Sequence, residues 1–88
     1  MQVMMNAKPM KTTEAMKAAV LENLHHLNRH KNLMRAEVIM KSENRDHMAE
    51  IILHGKKVHL YAKAKARNMY KAIKQAVKKL EHQLARKN

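Results

Sequence analysis

The sequence predicts an α+β domain in the order β-α-β-β-β-α: a four-stranded mixed sheet with two helices packed on one face. Three observations predict it. Residues 35–42, 47–54 and 57–65 alternate apolar and polar side chains with the period of two that a half-buried strand shows. Residues 13–29 and 69–84 instead repeat apolar side chains at three-four spacing, the mark of an amphipathic helix. And 88 residues with 45% apolar content suffice for one small core, so residues 1–88 are expected to form a single domain.

Residues 2–7 are taken as a short first strand, stopped by Pro9. Thr12 and Thr13 are suitable helix N-caps, with Glu14 where the helix dipole favours an anion. The helix that follows is expected from residue 13 to about residue 29. Its apolar stripe is Met16, Ala19, Val20, Leu24 and Leu27, and its outer face carries Lys17, Glu22, His25, His26 and Arg29. A polar connector, residues 28–32, leads to the second strand, where Ala36, Val38 and Met40 share one side. Residues 43–46 read as a turn. In the third strand Ala49, Ile51 and Leu53 share a face, and Gly55, the only glycine, is expected to supply the φ freedom of the next hairpin turn. In the fourth strand Val58, Leu60, Ala62 and Ala64 point one way, and Lys57, His59, Tyr61, Lys63 and Lys65 the other.

Asn68 is a natural N-cap for the last helix. Its stripe is Met69, Ala72, Ile73, Ala76, Val77, Leu80 and Leu84, and Tyr70 is expected to pack with it. A helix between the first two strands makes them parallel, with a right-handed crossover; the short turns make the other pairs antiparallel.

Charge narrows the function. Nineteen Lys or Arg face seven acids, a net charge of +12. The excess is concentrated: residues 56–88 hold eleven cations against Glu81 alone. Such an imbalance points to a polyanionic partner, with nucleic acid the default. Lys71, Lys74, Lys78 and His82 lie along one helix flank at spacings of three, four and four, about 5–6 Å between neighbours, which suits successive phosphates. Lys63, Lys65 and Arg67 extend the surface onto the sheet, and Lys79, Arg86 and Lys87 extend it toward the C-terminal end. No base-reading pattern is visible.

Other classes fit poorly. There is no Cys, so disulfides and thiol catalysis are excluded. A single Asp, a single Ser and a single Gly leave no catalytic constellation and no phosphate loop, so no enzyme and no cofactor are expected. His26 and His30 are four apart but have no third ligand nearby, so no metal is expected. The longest apolar run, residues 18–21, is far too short to span a membrane, and the chain is expected to be cytoplasmic.

Specific segments carry a resemblance. The last helix, with Asn68-Met69-Tyr70-Lys71-Ala72-Ile73 followed by Lys79-Leu80-Glu81-His82-Gln83-Leu84, resembles that of the bacterial ribosome hibernation promoting factors. Thr13-Glu14-Ala15-Met16 is similar to the start of the family's first helix, and residues 49–64 to its central hairpin. His82 stands where the family commonly has Arg. The length corresponds to the short form of the ribosome-associated inhibitor / sigma-54 modulation protein family.

The resemblance implies a fold similar to double-stranded RNA-binding domains. It also implies binding to 16S rRNA in the 30S mRNA and tRNA channel, at the A and P sites. Blocked translation and inactive ribosome dimers in stationary phase or stress would follow, with room for a second modulation factor in the pairing. The implied partners are the 30S subunit and the 70S ribosome, and the free chain is expected to be a monomer. Candidate rRNA contacts are the cations above together with Lys17, His26 and Arg29 of the first helix. The alternative is a generic basic double-stranded RNA-binding or nucleoid-type protein.

Overall fold

The computed structural model describes residues 1–8, 11–27 and 32–86. In chain order the elements are β1 (Gln2–Lys8), α1 (Glu14–His25), β2 (Leu33–Glu43), β3 (Asp46–Gly55), β4 (Val58–Ala66) and α2 (Met69–Arg86). The sheet order is β1-β2-β3-β4, with β1 parallel to β2, as the helical crossover predicts, and the other two pairs antiparallel, as the short turns predict.

Register converts the period-two pattern into three apolar rows across the sheet. Val3, Ala36, Leu53 and Leu60 form one row, Met5, Val38, Ile51 and Ala62 the next, and Ala7, Met40, Ala49 and Ala64 the third. All row members on β2, β3 and β4 are buried, while those on β1 are half-buried. Alanines at 49, 62 and 64 leave room for a helix at that end of the sheet, and α2 lies against β3 and β4, with α1 packed beside it. All seven side chains of the expected α2 stripe are buried. Burying each of the larger ones stabilises by about 1.5–3 kcal/mol, so α2 is held by packing more than by its own propensity.

Both helices start where the caps direct. Thr13 Oγ1 accepts from the Met16 amide at 3.1 Å. Asn68 Oδ1 accepts from the Tyr70 and Lys71 amides at 2.8 and 3.3 Å.

Four expectations need correction. First, α1 ends at His25 rather than near residue 29, because the backbone tightens there into i→i−3 bonds: His26 N–H to Asn23 O and Leu27 N–H to Leu24 O. That turn carries Leu27 into the core, where it is fully buried. Second, Gly55 does not take a positive φ; Lys57 does, at 64°. Gly55 is needed for space, since a Cβ there would overlap the Asn32 carbonyl oxygen. Third, Lys57 therefore belongs to the turn and β4 starts at Val58. Fourth, Tyr70 is exposed, because it sits one residue, about 100°, off the buried stripe.

Candidate nucleic-acid interface

The packing of α2 decides which of its residues face outward. With Met69, Ile73, Val77, Leu80 and Leu84 turned into the core, Lys71, Lys74, Lys78 and His82 are all exposed. Arg86 is exposed in the last turn. Among the described residues, no acid lies within ion-pair distance of Lys71, Lys74 or Lys78. No close ion pair among the described residues therefore neutralises them, and they form a strongly positive helix flank.

The open face of the sheet is different. Four of the seven acids, Glu37, Glu43, Asp46 and Glu50, fall on it by strand parity. Lys41 Nζ lies 3.8 Å from Glu50, and His54 Nε2 lies 3.6 Å from Glu37. Lys65 and Arg67 both approach Asp46, at 4.0 and 3.9 Å. The Asp46 contacts are more exposed than those of Glu50 and Glu37, which are half-buried, and the four acids lower the local positive potential. Lys63 and Lys65 point from this face, as expected, so the cations of β4 and the cations of α2 occupy two differently charged surfaces. Tyr61 also points outward and donates its hydroxyl to Glu50 Oε2 at 2.9 Å. That hydrogen bond raises the Tyr61 pKa above 10.0.

Lys79 has a role that sequence reasoning missed. Its ammonium donates to the Lys63 carbonyl at 2.6 Å, and Gln83 Nε2 donates to the Tyr61 carbonyl at 3.0 Å. Both carbonyls belong to β4, the last strand of the sheet, so α2 covers an edge that would otherwise expose free acceptors. Lys79 is thus first a clamp between helix and sheet, with two of its three donors left for solvent or phosphate.

From α1, the structure brings His26 to Lys74 and Lys78. The three residues line one groove between α1 and α2, together with Asn23, Val77 and Glu81. Neither Asn23 nor Glu81 is among the sequence candidates; the signal for Glu81 is its isolation as the only acid after residue 55. Lys17 instead sits in the first turn of α1 beside Glu14, at 3.5 Å. Arg29 and Lys87 lie outside the described residues, as does His30.

The element order, the parallel β1–β2 pair and the cationic flank define a small basic α+β domain with an exposed cationic helix. The chain belongs to the sigma 54 modulation protein / S30EA ribosomal protein family, whose model matches residues 3–88. This is a family of non-catalytic, ribosome-associated modulation proteins. The fold is similar to a crystal structure of the N-terminal domain of Thermus thermophilus Protein Y, with a TM-score of 0.93 and 23% identity over 100% of both chains. It is also similar to a ribosomal subunit interface protein from Coxiella burnetii, with a TM-score of 0.91 and 18% identity over 98% of this chain and 96% of that one. No curated protein matches the sequence. No helix among the described residues is long and apolar enough to cross a membrane.

Proposed function

We propose that the protein is a ribosome hibernation factor that binds 16S rRNA in the mRNA and tRNA channel of the 30S subunit, across the A and P sites. The observation that carries this reading is the row Lys71, Lys74 and Lys78, exposed and without an acid partner among the described residues, on a helix whose opposite face is buried in the core. A helix held this firmly presents its cations at fixed spacing, so phosphates of folded rRNA meet them with little ordering cost. His82 and Arg86 continue the row, and His26 flanks it from α1. Lys63, Lys65, Arg67 and Lys79 supply a weaker second surface on and beside β4, Lys17 is a further candidate on α1, and Arg29 and Lys87 are candidates outside the described residues.

Inhibition is steric. A positively charged domain lodged in a polyanionic channel excludes mRNA and tRNA, and the silenced ribosomes then pair into inactive dimers in stationary phase or stress, with or without a second modulation factor. The working compartment is the cytoplasm, and the free chain is a monomer.

Sedimentation with 70S ribosomes and with isolated 30S and 50S subunits tests the reading, across a salt series and against excess bulk double-stranded RNA. Saturable one-to-one binding to 30S and 70S that survives the competitor is expected. Binding to both subunits that the competitor strips away would make the protein a generic double-stranded RNA binder. Replacing Lys74 and Lys78 together by Glu should weaken 30S binding strongly. Loss of two phosphate contacts should also flatten the log affinity against log salt plot by about 1.4–1.8. Unchanged binding in that double variant would remove α2 from the interface.

A further inference from the structure

We infer that the outer edge of β1 is a self-association surface, to which β1 of a second copy of this chain adds antiparallel, making one eight-stranded sheet from two four-stranded ones. The inference does not depend on the ribosomal reading. The two edges of the sheet are treated differently. The β4 edge is tied down by Lys79 and Gln83 of α2. At the β1 edge every second residue turns its N–H and C=O outward, and no strand or turn among the described residues pairs with them. The devices that keep an edge strand solitary are missing as well. β1 runs seven residues in unbroken register with β2, so it is neither very short nor bulged, and its one charged side chain is Lys8, at its last position. The apolar rows run out unfinished here: Val3, Met5 and Ala7 touch the core but stay half-buried. Apolar surface continues on both sides of the strand. Met4, 49% exposed, lies on the open face of the sheet. On the helix side Met1 and Leu21, 42% and 51% exposed, line a groove of about 110 Å³ with Val3, Leu24 and His25.

Charge and register select the occupant. Two chains that each carry +12 repel wherever their cationic faces meet. Residues 1–7 have no charged side chain, so along β1 two copies approach with little repulsion. The strand is also self-complementary about Met5. When Met5 faces Met5 of the second copy, Val3 faces Ala7, Met4 faces Asn6 and Gln2 faces Lys8. This is the one antiparallel register that pairs all seven residues. It sets core-side residues opposite core-side residues, so the three apolar rows continue from one copy into the next. It also sets each Lys8 against a neutral Gln2, not against another cation. An interface of one short strand pair is small, which places it among weak, transient contacts. The dilute chain is a monomer, and pairs form as its concentration rises.

The chain has no cysteine, so introduced thiols report the register. Met4 and Asn6 are exposed, and replacing either leaves the core intact. Met4→Cys and Asn6→Cys chains are incubated with oxidised glutathione, each alone and then mixed, and cross-linked dimer is followed on non-reducing gels. Facing residues of an antiparallel pair stand about 4.5–5.5 Å apart at Cα, within reach of a disulfide. Two copies of the same variant hold their thiols two residues out of step, beyond the limit of about 7 Å. The mixture should therefore cross-link at least about tenfold faster than either variant alone. For the wild type, analytical ultracentrifugation up to about 1 mM should show average mass rising with concentration, and rising more at about 0.5 M salt than at about 0.1 M, because salt screens the repulsion between copies. Binding to polyanions moves the opposite way with salt. Met4→Lys should keep the chain monomeric at both salts. Equal cross-linking rates alone and mixed would overturn the pairing. So would a wild-type mass that stays monomeric at both salts, which would leave the β1 edge to a strand from a different protein.

Discussion

Replacing Gly55 by Ala isolates one steric contact. Gly55 ends β3 opposite Leu33, and an added Cβ would overlap the Asn32 carbonyl oxygen while standing 3.0 Å from Asn32 C and 3.1 Å from Leu33 Cα. All three are backbone atoms, so no side chain can swing away. Nor can the carbonyl shift without loss, because it accepts the Lys56 amide at 2.8 Å. Overpacking costs about 1–3 kcal/mol and the hydrogen bond about 1, offset by about 0.4–1 from the stiffer unfolded chain. The net is a loss of about 1–3.5 kcal/mol, or a fall in Tm of about 5–25 °C for a domain of this size. A far-UV circular dichroism melt measures it. Lys57→Gly is the matched control: at a φ of 64°, glycine relieves left-handed strain, and stability should stay level or rise by up to about 1 kcal/mol. A Gly55→Ala variant melting within a few degrees of wild type would refute the close approach.

Met69 is 5% exposed at the start of the α2 stripe, and Met69→Ala should cost about 2–5 kcal/mol in a urea or thermal melt. Tyr61 should titrate above pH 10 in the folded protein, followed by phenolate absorbance, and Glu50→Gln should bring its pKa down. The sign for stability follows from the raised folded-state value: the contribution is fully present below about pH 10, the unfolded pKa, and is lost as pH rises through the folded pKa. Lys79→Met should lower stability by about 0.5–1.5 kcal/mol through the freed Lys63 carbonyl, while weakening 30S binding less than Lys71→Met does in the same sedimentation assay.

What the sequence makes legible is whatever a single element decides. The α2 stripe can be read because seven apolar residues at helical spacing have only one face to bury, and the three later strands because alternation leaves one choice of face. What it hides depends on neighbours distant in the chain. The space around Gly55 is set by Asn32, across the sheet register. The tie of Lys79 to β4 exists only once α2 lies along that strand. The end of α1 is decided by Leu27 reaching the core, which the stripe alone does not distinguish from another helical turn. The groove joins Asn23 to Glu81 only because α1 packs beside α2, so no local motif announces it.

The cationic flank also carries a cost that binding would remove. Lys74 follows Lys71 by three residues and precedes Lys78 by four, so it takes part in two like-charge contacts on one helix face, each destabilising by about 0.2–0.5 kcal/mol. No acid among the described residues lies within ion-pair distance of Lys74 to offset this. Lys74→Gln keeps a good helix former at an exposed position and relieves both repulsions. The free protein should gain about 0.4–1 kcal/mol at low salt, read as a rise in Tm of a few degrees, and the gain should fade as salt screens the wild type. Affinity for 30S should fall in the same variant. Stability and binding then move in opposite directions, as expected where a surface is kept strained for its ligand. If Lys74→Gln lowered both, Lys74 would be a packing residue of α2 and its place in the phosphate row would be lost.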